Sequence, residues 1–307
     1  MVDIQASDVK TLRDRTGAGM MDCKKALVEC LGNIEEAVDW LRKKGLAAAA
    51  KKAGRIAAEG LVGVHVSGNI GALIEVNAET DFVARNELFQ KYVGSVVEIA
   101  CHRDLDLESL KIASYPGTDH SVAEELSNLI AVVGEKMELR RLAQLSVSNG
   151  VIASYVHNKI AANLGKIGIL VAIESSGNKE KLLDLGKKIA MHIAATSPVS
   201  TSIDDLDPVI LEREKAVVSE QAKNMRKPAE FISKIVDGRI RKFYEESVLM
   251  EQIFVIDGTS RVKDVIENLA KEIGAPVVVK GFVKYLLGEG IEKQSVDFAA
   301  EVAAQLH

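Results

Sequence analysis

Aromatic residues, cysteines and histidines are scarce in this chain, and each shortage narrows the functions it could have. Aromatics are 4% of the 307 residues, so platforms for stacking nucleic-acid bases are few. The three cysteines, Cys23, Cys30 and Cys101, form no CxxC pair, which disfavours a zinc site or a disulfide and fits a reducing compartment. The six histidines form no HxxxH pair, and His192 lies on an apolar helix as a predicted core residue. No cofactor and no metal site is predicted.

An excess of positive charge is also missing. Lys and Arg total 39 against 44 Asp and Glu, a net charge of -5, which weighs against nucleic acid as the main partner. No apolar run reaches the ~18 residues that a membrane span needs, and the N-terminus shows no signal-peptide pattern. No GxSxG or P-loop sequence is present. We therefore expect a cytoplasmic protein that is not an enzyme and does not bind membranes.

The N-terminal residues predict three short helices in a small bundle of the ubiquitin-associated type. The first helix is capped by Ser7 or Asp8, the second covers 22–30, and the third covers 34–44. A lysine- and alanine-rich stretch at 47–58 follows, which is typical of a solvated helical connector and alternatively offers a basic strip to an acidic partner or ribosomal RNA. The bundle core is small, so its stability alone is expected to be modest.

Met20 and Met21 lie beside the glycine-rich turn between the first two predicted helices. Methionine fills irregular gaps in a core, and it also forms adaptable apolar contact surfaces. The residues alone leave both interpretations open.

The middle of the chain contains an internal repeat, in which residues 70–74 (IGALI) align with residues 167–171 (IGILV). The pattern predicts a hairpin at 62–77, a helix ending near 101, a helix at 122–130, a strand at 140–145, a hairpin at 151–174 and a helix at 179–195. Two duplicated subdomains, each an antiparallel sheet backed by helices, are therefore expected.

Two charged helical patterns with a narrow apolar seam follow, split by Pro228, and they predict an antiparallel helical hairpin. Strands are predicted at 252–256 and 277–286, and a last helix at 296–306. The predicted fold class is α+β. Its domains are a bundle at 1–54, a core subdomain at 55–145, a second at 146–290 with the hairpin 208–243 inserted, and a C-terminal helical module at 291–307.

The octet TDFVARNE, residues 80–87, lies where a predicted strand gives way to a predicted helix whose inward face includes Leu88. Asn86 is expected to cap that helix, and Thr80 to cap a single turn ahead of it. Asp81 and Phe82 are either a surface acid and a core aromatic, or a pair presented to a ligand. The corresponding loop of the second repeat lacks this pair, which favours a special task for it.

Three stretches resemble the signatures of one known family. They are residues 9–27 (VKTLRDRTGAGMMDCKKAL), the octet, and residues 288–293 (GEGIEK) followed by 297–302 (DFAAEV). Their order and spread along the chain resemble bacterial translation elongation factor Ts. The resemblance implies a guanine nucleotide exchange factor that binds elongation factor Tu in its GDP-bound and nucleotide-free states.

The resemblance also implies which residues contact that partner. The stretch Thr80-Asp81-Phe82-Val83 would wedge in near the magnesium ion of the partner and displace it. The N-terminal bundle, with Arg13, Met20 and Met21, and the C-terminal helix would hold the nucleotide domain.

The second subdomain, with His157, would reach another domain of the partner. A hairpin loop at 158–166 that is longer than usual for the family is expected here, and this puts the role of His157 in doubt.

Two other functions remain open from the residues alone. The N-terminal bundle by itself is typical of an adaptor that binds ubiquitin-like folds or nascent chains. Scattered His, Asp and Ser residues leave a hydrolase as a weaker alternative.

Overall fold

The computed structural model describes residues 4–102, 104–224 and 229–292. Its helices are α1 (Ala6–Thr16), α2 (Met20–Glu29), α3 (Ile34–Lys52), α4 (Glu87–His102), α5 (Leu107–Ile112), α6 (Val122–Val133), α7 (Lys179–Thr196), α8 (Pro208–Asn224), α9 (Ala229–Ser247) and α10 (Val262–Ile273). Its strands are β1 (Glu59–Ser67), β2 (Ile70–Ala78), β3 (Met137–Ser146), β4 (Gly150–Ala161), β5 (Leu164–Glu174) and β6 (Val278–Leu286). The predicted α+β class is confirmed.

The three N-terminal helices are present, but their ends differ from the prediction. Helix α1 follows Gln5 without a side-chain cap, so neither Ser7 nor Asp8 caps it, and α2 starts at Met20. Helix α3 runs on to Lys52, because the alanines of the predicted connector favour helix. Its later half lies on α6, where a Cβ at Gly45 would be only 3.3 Å from the Cβ of Ala131.

A single six-stranded antiparallel sheet unites the two predicted core subdomains. The strands β3-β2-β1 form one half and β4-β5-β6 the other, and β1 joins β5 through two residue pairs, Val62 with Gly165 and Gly63 with Leu164. Helices α4, α5 and α6 cover the first half, while α7 and α10 cover the second. A third apolar cluster lies between the halves, so the curled sheet packs against itself. The predicted domain boundaries remain a prediction.

The two halves pack through a reciprocal pair of contacts within the sequence repeat. A Cβ at Gly71 would lie 3.1 Å from Leu170 Cδ2, and a Cβ at Gly168 would lie 2.5 Å from Leu73 Cδ1. The two glycines occupy equivalent positions of the repeat, and so do the two leucines. Each copy therefore leaves the space that the leucine of the other copy fills.

A buried carboxylate joins β2 to β3 and to the chain after β6. Glu75 is fully buried, and its carboxylate accepts hydrogen bonds from Arg140 Nη1 at 3.1 Å and from Arg141 Nε. Asn77 Nδ2 and the Gly288 N–H donate to it at 2.9 and 2.8 Å. A buried charge persists only where such partners replace its hydration. The cluster holds the turn after β6 against the first half of the sheet.

The hairpin that carries His157 differs from the prediction. Strands β4 and β5 pair from Gly150 with Glu174 to Ala161 with Leu164, and a two-residue turn joins them. Asn163 in that turn has φ 58°, a left-handed conformation that asparagine tolerates. The prediction of a long loop at 158–166 is therefore wrong.

The prediction of a strand at 252–256 is also wrong. A 3-10 turn, Leu249–Glu251, leads into bends, and Ile253 makes one isolated bridge with Arg261. This segment is held by the buried side chain of Gln252, whose Oε1 lies 2.8 Å from Nε2 of His192, rather than by a strand ladder. The prediction that His192 is a core residue is confirmed, and burial lowers the pKa of its imidazole.

The inserted helical pair is present as α8 and α9, which lie side by side and are linked by a hydrogen bond from Arg239 to Gln221 at 2.9 Å. Helix α10, between this pair and β6, was not predicted. The helix predicted at 296–306 lies outside the described residues. Among the helices that the structure describes, none is both long and apolar enough to cross a bilayer.

Replacing Gly168 with alanine should destabilise the fold. The new methyl group would overlap the leucine and valine side chains of the facing half, and overpacking of this kind costs about 1–3 kcal/mol. Gly281→Ala is the matched control, because a Cβ on that β6 glycine meets nothing within 4 Å. Denaturant unfolding of both variants checks the prediction, and equal stabilities would contradict the reciprocal packing.

Candidate protein-interaction site

The octet forms the connection between β2 and α4 and places neighbouring hydrophobic residues in opposite environments. Phe82 is 79% exposed, whereas Val83 and Ala84 are buried in the core of the first half. Asp81 is exposed beside Phe82. The interpretation of Phe82 as a core residue is wrong, because Val83 and Ala84 anchor the loop in its place.

Local hydrogen bonds give this loop a defined backbone. The N–H of Arg85 donates to Phe82 O at 3.1 Å and that of Asn86 to Val83 O at 2.9 Å, which makes one 3-10 turn. The side chain of Asn86 accepts from the N–H groups of Leu88 and Phe89, so its predicted role as the cap of α4 is confirmed. The loop therefore holds Phe82 in water on a short, hydrogen-bonded turn.

Thr80 does not cap the turn as predicted. Its N–H and its hydroxyl instead donate to the two carboxylate oxygens of Glu135, at 2.9 and 2.7 Å. The preceding residue, Glu79, accepts from the N–H of Lys136 and from Arg55. Both contacts reach segments far away in the chain, which local spacing does not reveal.

Leu88 is half exposed rather than inward, which corrects the predicted face of α4. The buried face is formed by Phe89, Tyr92, Val93 and Val96. Leu88 precedes Tyr92 by four residues, so it has the spacing of this face but lies at its edge and stays half exposed. Sequence reasoning therefore missed an exposed leucine close to Phe82 in the chain, because its helical spacing is that of a buried residue.

The other predicted contact residues lie on separate elements. Arg13 is exposed on α1, and Met20 and Met21 are exposed at the start of α2. The exposure of both methionines thus favours a role as an apolar contact surface over a role in filling gaps in the core. Two further apolar side chains, Val28 and Leu31, are exposed in the same bundle, and sequence reasoning did not select them.

His157 is exposed on β4 in the second half of the sheet, with its Nδ1 3.1 Å from the hydroxyl of Tyr155. The structure therefore places the predicted contact residues in three regions: the bundle, the octet loop and the second hairpin. Within the described ranges, no group of three or more His, Cys, Asp or Glu side chains is arranged to hold a metal ion.

Known proteins resemble this chain over its length. Residues 79–289, more than half of the chain, match the family model described as elongation factor Ts. The chain belongs to the elongation factor Ts family. The elongation factor Ts of Paramagnetospirillum magneticum is 59% identical over 305 residues, covering 99% of this chain and 98% of the relative. That of Rhodospirillum centenum is 57% identical over 304 residues, covering 99% of both chains.

A third relative, the elongation factor Ts of Rhodospirillum rubrum, is 56% identical over 307 residues, covering all of this chain and 99% of the relative. These matches extend beyond residues 79–289 and therefore include the N-terminal bundle. Membership of the elongation factor Ts family makes the chain a translation elongation factor.

Replacing Phe82 with alanine should leave the stability of the fold almost unchanged. An exposed side chain loses little on truncation, within about 0.5 kcal/mol, because it buries little surface when the chain folds. Phe89→Ala, seven residues later on α4, should cost about 3–5 kcal/mol, because Phe89 is fully buried. Thermal unfolding distinguishes the two, and a strongly destabilised Phe82→Ala would restore the core interpretation.

Proposed function

We propose that this chain is the guanine nucleotide exchange factor of elongation factor Tu. It binds the partner with GDP, displaces the magnesium ion and promotes release of GDP, after which it remains on the nucleotide-free partner. Family membership supports this role, and the exposure of Phe82 on a hydrogen-bonded loop is the observation that carries it. The chain is then not an enzyme in the chemical sense, and its place is the cytoplasm.

An aromatic side chain held in water is suited to act as a wedge. A phenylalanine gains about 1.5–3 kcal/mol when it leaves water for an apolar pocket. Phe82 has not gained this free energy in the free protein, so it is available when a partner covers the side chain. The buried neighbours Val83 and Ala84 keep the backbone in place while Phe82 inserts.

The wedge alone is too weak for exchange. A nucleotide bound at nanomolar affinity is held by about 12 kcal/mol. Weakening it ~10⁴-fold requires ~5.5 kcal/mol of differential binding, which exceeds what one phenylalanine supplies. Other contacts must therefore hold the partner while Phe82 distorts its nucleotide site.

The exposed side chains of Arg13, Met20 and Met21 on the N-terminal bundle are proposed to supply part of that hold. His157 is proposed to contact a second domain of the partner, and the two-residue turn of its hairpin removes the objection that a long loop raised. The helix predicted at 296–306, the other proposed contact, lies outside the described residues.

Asp81 is proposed to act on the magnesium site of the partner. Its carboxylate is exposed next to Phe82 and so approaches with it. Magnesium keeps several water ligands in nucleotide sites, and an approaching carboxylate perturbs those waters and the neighbouring side chains. Phe82 and the backbone of residues 80–83 would then displace further groups around the magnesium ion. Loss of the ion would loosen the phosphates of GDP.

Phe82→Ala should strongly reduce stimulated release of labelled GDP from elongation factor Tu. The loss follows from removal of the wedge and not from unfolding, because the side chain is exposed. Phe231→Ala is the matched control, since Phe231 is 58% exposed on α9 and distant in the chain from the octet. Asp81→Ala should cause a milder loss.

A magnesium titration tests the mechanism in the same assay. Chelating magnesium should speed spontaneous GDP release and shrink the advantage of the natural chain over Phe82→Ala. Equal rates for the natural chain and Phe82→Ala at every magnesium concentration would contradict the proposal, as would a loss of the same size in Phe231→Ala.

A further inference from the structure

Two short segments near the octet exchange hydrogen bonds in a reciprocal manner. The carboxylate of Glu135 accepts from the N–H of Thr80 at 2.9 Å and from the Thr80 hydroxyl at 2.7 Å. The carboxylate of Glu79 accepts from the N–H of Lys136 at 2.5 Å. Each glutamate thus binds the residue that follows the other glutamate. We name these four residues the glutamate clamp.

A third segment is joined to the clamp. Arg55 Nη1 lies 3.2 Å from both oxygens of Glu79, and Lys136 Nζ donates to the carbonyl of Arg55 at 2.9 Å. Arg55 follows the end of α3, the helix that packs on α6. The clamp therefore ties the end of the N-terminal bundle, the end of α6 and the start of the octet together.

The clamp lies immediately before the exposed aromatic. Thr80 is two residues ahead of Phe82, and the side chain of Phe82 is mostly exposed, so little packing sets its direction. Hydrogen bonds to a carboxylate are about twice as strong as those between neutral groups. The carboxylate of Glu79 is mostly shielded from water, so water competes little for its bonds. A loop already held in its inserting conformation avoids the free energy cost of ordering at the step where Phe82 enters the nucleotide site of the bound partner.

We propose that Glu135, together with Glu79, is a positioning residue that sets the octet so that Phe82 points outward before the partner arrives. This inference rests on the exchange function proposed above. Glu135 does not touch the partner in this account and acts only through Thr80 and the loop that follows.

The test is a double-mutant cycle on GDP release from elongation factor Tu. Glu135→Ala should lower the maximal release rate about tenfold, because a small displacement of a group that must insert is costly. The factor concentration at half-maximal rate should change little, since the bundle contacts are intact. In a Phe82→Ala background, Glu135→Ala should cause no further loss, because there is then no wedge to position.

Three variants sharpen the cycle. Thr80→Val keeps the N–H bond but removes the hydroxyl donor, and Glu135→Gln keeps one acceptor oxygen, so each should give an intermediate loss. Glu138→Ala is the matched control, because Glu138 is an exposed glutamate on β3 that pairs with Lys136 and makes no bond to the octet. It should exchange as the natural chain does.

Hydrogen exchange of the free protein gives a second readout that does not depend on the partner. Amides of residues 80–86 should exchange faster in Glu135→Ala, while those of β1 and β2 should be unchanged. Equal losses from Glu135→Ala with and without Phe82, or unchanged exchange of the octet amides, would overturn the inference. Failure of the natural chain to release GDP would instead overturn the proposed function. The hydrogen-exchange result would then still show whether the glutamate clamp holds the octet.

Discussion

The two halves of the sheet close on each other because each half provides a glycine where the other inserts a leucine. Gly71 receives Leu170 and Gly168 receives Leu73, so the repeat in the sequence becomes a reciprocal contact in the fold. The helices are thereby left on the outer faces of the halves. The buried carboxylate of Glu75 adds a polar fastening that brings the chain after β6 to the first half. The octet projects from this rigid base.

The octet places buried and exposed apolar residues next to each other, and the proposed function depends on this arrangement. Val83 and Ala84 bury their side chains, whereas most of the aromatic surface of Phe82 is exposed. Hydrogen bonds at Thr80 and Asn86 hold the two ends of the octet, so the exposed residue stands between fixed points. In the second half, the equivalent loop contains no acid–aromatic pair, and duplication has therefore left only one copy with this surface.

Local patterns predicted the elements whose residues repeat with a helical or strand period, such as helix α4 and the β1–β2 hairpin. They failed where distant contacts decide the structure. The run at 252–256 is rich in apolar and β-branched residues like a strand, yet the buried side chain of Gln252 holds it in bends. The bond between Thr80 and Glu135 spans 55 positions, so no local spacing indicates it. Phe82 is exposed because the turn points its side chain away from the core. The spacing of residues in the sequence does not determine that direction.

The most direct test of the account is to locate what Phe82 touches. A photo-crosslinking phenylalanine derivative placed at position 82 should, on irradiation with GDP-bound elongation factor Tu, label the nucleotide domain of the partner. Excess GDP should reduce the labelling, because nucleotide and factor weaken each other's binding by the same factor. Labelling of the nucleotide domain that falls as GDP rises is the result we predict. Labelling confined to other domains, or unaffected by GDP, would contradict the role of Phe82 as the wedge.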